Sequence, residues 1–191
     1  MICTGNVCRS PMAAALLRRR LETAGVPGSV SSAGLLTEGV PASPGAVKAM
    51  QARDIELGSH RSAVLDEATL ADADLVLGMA REHVREAVVL LPEAWPRSFT
   101  LKELVRRGSE AGRRGAHERM ADWLDRSHEG RDTAALMGSS TEDDIVDPIG
   151  MSDAAYEDTA TELDGLLEQL VNLVWGARTR APEKDRNLAA R

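Results

Sequence analysis

Residues 3–11 read CTGNVCRSP. A thiol, a glycine, an asparagine and an arginine fall within seven positions, and a Ser-Pro pair then leads into an Ala/Leu/Arg run. A loop from Cys3 to Arg9 that runs into a helix directs backbone N–H groups inward, and such a nest at a positive helix end binds an oxyanion. Within the loop Thr4-Gly5-Asn6-Val7-Cys8-Arg9-Ser10, Gly5 permits a tight or left-handed turn. Asn6 tolerates positive φ and can brace the loop through its side-chain amide. Arg9 offers a planar fork that grips two phosphate oxygens at once, a geometry lysine cannot match. The N–H dipoles and Arg9 favour an ionised sulfur at Cys3, and Ser10 could donate a hydrogen bond to it. A phosphate held beside an activated sulfur is the arrangement of covalent phosphoryl transfer.

A leaving group needs a proton. Asp147, in DDIVDPIG, is the candidate donor. Pro148 disfavours a helix at Asp147 and holds it extended or in a turn, which is how a loop presents a general acid over a pocket. Glu142, Asp143 and Asp144 read as a solvated acidic run.

The elements that position these groups follow from periodicity and punctuation. Residues 12–24 read as a helix with Ser10 as N-cap and Pro11 in its first position, ended by Gly25 and Pro27. Residues 29–35 are β-compatible. Ser43 and Pro44 repeat the cap-plus-proline signal for a helix to about Arg53. Residues 73–79 form an apolar strand candidate with a helix after it, and 98–101 another strand leading into a helix. The longest helix covers 151–175, with Leu163, Leu166, Leu167, Leu170 and Val174 on one face. Strands alternating with helices give an α/β fold: a small parallel sheet of about four strands, helices on both faces, and the phosphate loop between the first strand and first helix.

The 191 residues suit a single domain, expected over 1–176. A polar, Gly/Ser-rich stretch at about 108–144 reads as a partly helical surface insertion, and 177–191 as a disordered tail. Aromatics make up only 3%, so Leu, Val, Ala and Met must fill the interior. A net charge of −7 argues against nucleic acid or a membrane surface as partner. No apolar run approaches the roughly 20 residues of a membrane span, and no signal-peptide pattern is present. With two cysteines only, a disulfide scaffold is not expected and a cytoplasmic location is. None of the four histidines pairs with a cysteine at zinc spacing, so no metal or other cofactor is expected.

CTGNVCRSPMA resembles the phosphate loop of low-molecular-weight protein tyrosine phosphatases. The likeness continues, in family order, through SSAGL (31–35), PASPGAV (41–47), GSHRS (58–62), ADLVLGM (73–79) and VDP (146–148). The resemblance implies that Cys3 is the nucleophile of a phosphocysteine intermediate. It implies that Arg9 stabilises the transferring phosphoryl group and that Asp147 protonates the leaving oxygen and then activates water. It places Asn6, Ser10, Ser32 and His60 in a network that shapes the loop, and makes Cys8 a partner that traps oxidised Cys3 as a disulfide. The implied substrate is a phosphotyrosine protein or a small aryl phosphate. Val7 resembles the apolar choice of tyrosine-directed members, where relatives acting on phosphoarginine tend to have threonine.

The chain departs from the family in three ways. Only Met1 and Ile2 precede Cys3, where an apolar strand is usual, so a late start or an incomplete domain is expected. Ile149 and Gly150 follow Asp-Pro in place of aromatics, and the 108–144 segment is longer than usual. Two other functions fit the same loop: a small-thiol-dependent arsenate reductase, and a catalytically impaired phosphate-binding domain.

Overall fold

Four short parallel strands carry the fold in the computed structural model, which describes residues 1–176. They are β1 (Ile2–Cys3), β2 (Ala33–Gly34), β3 (Val76–Gly78) and β4 (Ser98–Thr100), in the order β2-β1-β3-β4. Seven helices accompany them: α1 (Arg9–Thr23), α2 (Pro44–Gln51), α3 (Glu67–Ala71), α4 (Arg81–Leu90), α5 (Leu101–Ala111), α6 (Met120–His128) and α7 (Asp153–Val174). The expected four-stranded parallel α/β architecture is therefore the observed one.

Strand alternation divides the core in two. Cys3, Leu77 and Phe99 face a cluster with Met12, Leu16, Met50, Leu104, Leu163 and Leu167, from α1, α2, α5 and α7. Ile2, Ala33 and Val76 face the other way, against Leu65, Leu70 and Ala87. β1 has only two residues, yet Ile2 pairs with both Ala33 and Gly78, and Cys3 pairs with Gly34. The chain leaves β1 for β2 on one side and returns to β3 on the other. The C-terminal end of β1 is thus the topological switch point where such sheets bind ligands.

Two local expectations are corrected. α1 begins at Arg9, with Cys8 at the N-cap and no side-chain cap. Ser10 lies inside the first turn, and its hydroxyl serves the preceding loop instead. Ser43, by contrast, caps α2 by accepting from Ala46 N–H. The 108–144 segment is partly helical as expected but does not lie loosely on the surface. Trp123 of α6 is fully buried, and its indole N–H donates to the Gly112 carbonyl at 2.8 Å. A Cβ at Gly108 would lie 2.7 Å from that ring, so glycine is what lets α6 close on α5. Arg131 then stacks between Trp95 and Phe99, at 3.8 and 3.9 Å, while paired with Glu103. Polar composition conceals this packing, because three aromatics and a paired arginine do the work of a longer apolar stripe.

No helix among the described residues is long and apolar enough to cross a membrane. The tail expected at 177–191 lies outside the described residues.

Candidate active site

The loop joining β1 to α1 is held from outside by its carbonyls. Thr4 O accepts from Leu35 N–H and Val7 O from Ser43 N–H, each at 2.8 Å. Asn6 O lies 2.7 Å from His60 Nε2, whose N–H donates to it. In a trans peptide the carbonyl of one residue and the N–H of the next point in opposite directions. Tying these carbonyls to the scaffold therefore turns the N–H groups of Gly5, Val7 and Cys8 to the other side. Among the described residues, none of the N–H groups from Gly5 to Arg9 has an acceptor.

The left-handed residue of the loop is Asn6 (φ 50°), whereas Gly5 has no positive φ. A non-glycine there costs on the order of 1 kcal/mol and needs support. Asn6 has it on three sides. Its Oδ1 accepts from Ala63 N–H at 3.0 Å, its Nδ2 donates to Ser10 Oγ at 2.8 Å, and its carbonyl is held by His60. Gly34 makes room: a Cβ there would fall 2.8 Å from Asn6 N and 2.9 Å from Asn6 Cβ.

Ser10 Oγ stands 3.0 Å from Cys3 Sγ and 3.4 Å from the Ala33 carbonyl. Because Asn6 already donates to Ser10, the serine proton is free to point at the sulfur, the nearer acceptor. Arg9 is buried and reaches over the loop. Its Nη1 donates to Ile145 O at 3.0 Å, and its Nη2 donates to Asp147 Oδ2 at 2.5 Å and to Thr4 Oγ1 at 3.4 Å. Asp147 Oδ1 accepts from Ile149 N–H at 3.2 Å, an Asx turn that fixes the carboxylate at the loop's edge. Asp147, far from Arg9 in sequence, thus meets it beside a cleft of about 480 Å³ lined by Thr4, Arg9, Glu82, Ser139, Ile145 and Asp147, with Cys3 the residue before Thr4. A second cavity, about 530 Å³, opens beside Met1, Ser31 and Leu75, and its lining holds no cysteine, histidine or arginine.

Cys8 faces away from this cleft into the core, with Sγ 3.1 Å from Ser43 Oγ and 3.7 Å from the Tyr156 hydroxyl. Burial pushes its thiol up, so it stays protonated at neutral pH. Ser32 is half-buried and, among the described residues, has no side-chain hydrogen bond, so it does not join the network around Asn6. The acidic run is also corrected: Asp143 is buried between Arg81 and Arg106, and Asp144 closes the start of α4.

His83, Ile145 and Gly34 are site residues that no sequence signal singles out. His83 is fully buried, with Nε2 3.0 Å from Thr4 Oγ1. Burial, then the neighbouring Arg9 cation, lowers it to about 3, against the half-exposed Glu82 carboxylate 3.3 Å away. The fold refuses a proton that the unfolded chain takes below about pH 6.5, so this contribution to stability is whole above that pH and is lost as pH falls toward 3. His128 is lowered as well, mainly by burial, and adds to the same trend. Urea unfolding at fixed pH should show stability dropping between about pH 6 and 5. His83→Gln should flatten that slope by up to about 1.4 kcal/mol per pH unit, one proton's worth. An unchanged slope in the variant would place the acid sensitivity elsewhere.

Comparison with known proteins agrees with this geometry. The family model for low molecular weight phosphotyrosine protein phosphatase matches residues 1–129. A protein-arginine-phosphatase of Bacillus subtilis is 34% identical over 170 residues, 88% of this chain and 91% of the relative. A probable low molecular weight protein-tyrosine-phosphatase, EpsP, of Ralstonia solanacearum is 41% identical over 106 residues, 54% of this chain and 70% of the relative. The crystal structure of a low molecular weight protein tyrosine phosphatase from T. tengcongensis superposes with a TM-score of 0.68 at 34% identity, covering 90% of this chain and 95% of that one. A likeness in sequence and in fold that reaches from the Cys3 loop to α7 leaves one assignment: the chain belongs to the low molecular weight phosphotyrosine protein phosphatase family, cysteine-dependent hydrolases of phosphate esters.

Proposed function

We propose that the protein is a tyrosine-phosphatase-type phosphomonoester hydrolase, working in the cytoplasm from a single domain over 1–176 through a phosphocysteine intermediate. The observation that carries this reading is the loop of unpartnered N–H groups between the Cys3 sulfur and the Arg9 guanidinium. Three equatorial phosphoryl oxygens need such donors, preorganised and dry. The Cys3 thiolate attacks phosphorus, the ester P–O bond breaks, and its electron pair leaves with the oxygen. Asp147 gives that oxygen a proton. Arg9 is paired with Asp147 before substrate arrives. A phosphate dianion takes over the guanidinium, which releases the Asp147 carboxyl from that pair to face the leaving oxygen. In the second step the Asp147 carboxylate takes a proton from water, the water oxygen bonds to phosphorus, and sulfur leaves as thiolate.

Two observations favour turnover over phosphate binding alone. Short as β1 is, both neighbouring strands pair with it at Ile2 and β2 pairs with it again at Cys3, and the acid is already at hydrogen-bond distance from Arg9. The substrate class rests on Val7, an apolar side chain in the loop. The lid supplies Ile149 and Met151, both exposed, and no ring. Stacking worth about 0.5–1.5 kcal/mol per aromatic pair is therefore missing, and aryl substrates should bind weakly.

Steady-state kinetics on phosphotyrosine, phosphoserine and phosphoarginine peptides tests this. The expected order of kcat/KM puts phosphotyrosine first, with a high KM. A preference for phosphoarginine, the substrate class in the name of the B. subtilis relative, would overturn the substrate assignment. Arsenate-dependent oxidation of a small thiol, faster than any phosphatase turnover, would overturn the reaction itself.

A further inference from the structure

The lid that carries Asp147 is bolted down by the two aspartates that read as a solvated run. Asp143 is buried, and each of its oxygens meets a different arginine. Oδ2 accepts from Arg81 Nε at 2.8 Å, and Oδ1 accepts from Arg106 Nη1 at 2.8 Å. Arg81 opens α4 and Arg106 lies on α5, so one carboxylate ties the lid to two helices. These pairs hold Asp143 below the usual carboxylate range despite its burial. It is therefore a fixed anion and a poor proton donor.

Asp144 makes a second set of ties. Its Oδ1 accepts from Arg81 N–H at 2.8 Å, capping α4, where no N-cap side chain does so. Its Oδ2 accepts from Ser140 N–H at 2.7 Å, and its carbonyl accepts from Lys102 Nζ at 3.0 Å. The next residue, Ile145, is buried and donates its N–H to Met79 O at 2.8 Å, just beyond β3. Its carbonyl receives Arg9 Nη1. Two residues on stands Asp147.

We propose that Asp143 and Asp144 are positioning residues that set both the Asp147 carboxyl and the Ile145 carbonyl that aims Arg9. The inference rests on the general-acid reading of Asp147 above. The two ends of the machinery, cation and acid, share one short anchored segment. Ile145 anchors the segment in the core, but Val146, Ile149 and Met151 around Asp147 are exposed. Charge supplies the remaining ties: two arginines and a helix N-terminus, all of which favour carboxylate partners.

A residue that acts through Asp147 should affect only what Asp147 affects. Asp143→Asn keeps the shape and removes the charge, and Arg106→Ala removes one tie from a half-exposed site. Each should lower kcat/KM roughly tenfold for phenyl phosphate, a fraction of what a positioned acid supplies, and less than about threefold for 4-nitrophenyl phosphate, which leaves with little proton help. In an Asp147→Asn background the phenyl phosphate loss should vanish. If Asp143→Asn unfolds the protein, Arg106→Ala carries the test, with its melting temperature as control. Equal losses on both substrates, or the same loss with and without Asp147, would show a general structural role and overturn the proposal. If Asp147→Asn alone shows no leaving-group dependence, the general-acid reading fails and the proposal with it. If Asp147→Asn shows that dependence but neither anchor variant does, only the proposal fails.

Discussion

Cys3→Ser should reduce hydrolysis of 4-nitrophenyl phosphate to background, a loss of roughly 10⁴-fold or more, as expected when a covalent nucleophile is removed. A serine hydroxyl at this position has no base to take its proton. Ser10 is a donor toward it, and the Asp147 carboxylate is held by Arg9. Phosphate binding should survive, because the loop N–H groups, the Asn6 brace and Arg9 are untouched. Calorimetry with inorganic phosphate on the variant separates lost chemistry from lost structure. The same substitution tests the redox reading. On that reading, peroxide should oxidise the Cys3 thiolate to a sulfenic acid and be reduced to water. The Cys8 thiol should then turn from Ser43 and attack that sulfur, a second water leaving, to close a disulfide that a dithiol reopens. Burial keeps Cys8 protonated, so closure should be slower than the first oxidation. Mass spectrometry should find the disulfide in the oxidised wild type and none in Cys3→Ser. Near wild-type turnover in the variant would remove the phosphocysteine intermediate. Sulfonic acid at Cys3 with Cys8 untouched would remove the protective role of Cys8.

The legible part of the site is the part that is local in the chain. Cys3, Asn6 and Arg9 sit on one loop, and Pro11 signals the helix after them, so their types and spacing carry the phosphate-loop reading. Asp147 is legible through Pro148, a backbone constraint. The remaining residues depend on which loops meet at the end of β1, and local chemistry does not report that. His60 reaches Asn6 across 54 positions, and Ala63 N–H reaches it across 57. Gly34 matters only because Asn6 lies against it. His83 is an ordinary residue of an amphipathic helix until β3 carries it to Thr4. Ser10 reads as a cap because Ser-Pro usually is one, but the demand of Asn6 and Cys3 for its hydroxyl outweighs the helix start. Asp143 reads as solvated because its neighbours are charged. Its two arginines come from α4 and α5, and only their meeting makes a buried anion acceptable.

Asp147→Asn should divide substrates by their leaving groups. A positioned acid contributes roughly 10²–10⁴ in rate. In kcat/KM, which reports only the step that expels the leaving group, a phenolate that is a poor leaving group should lose most of that, whereas 4-nitrophenolate should lose little; kcat also carries the later attack of water, which Asp147 assists for every substrate. Asparagine can still accept from Ile149 N–H through its Oδ1, so the Asx turn that sets the lid survives and the change is confined to the proton. The substitution also breaks the ion pair that occupies Arg9 before substrate binds. Inorganic phosphate no longer has to displace a carboxylate, so its inhibition constant should fall or hold, and not rise. The two readouts move in opposite senses: weaker chemistry on poor leaving groups, and undiminished or tighter binding of the product anion. A simple collapse of the lid would weaken both. Plotting log kcat/KM against leaving-group acidity for wild type and variant decides the matter. A steeper slope in the variant is expected, because negative charge builds up on an oxygen that receives no proton. Parallel slopes would mean that the proton comes from another group. Asp143, paired to two arginines, could not supply it, which would move suspicion to Glu82, whose half-exposed carboxylate also lines the cleft.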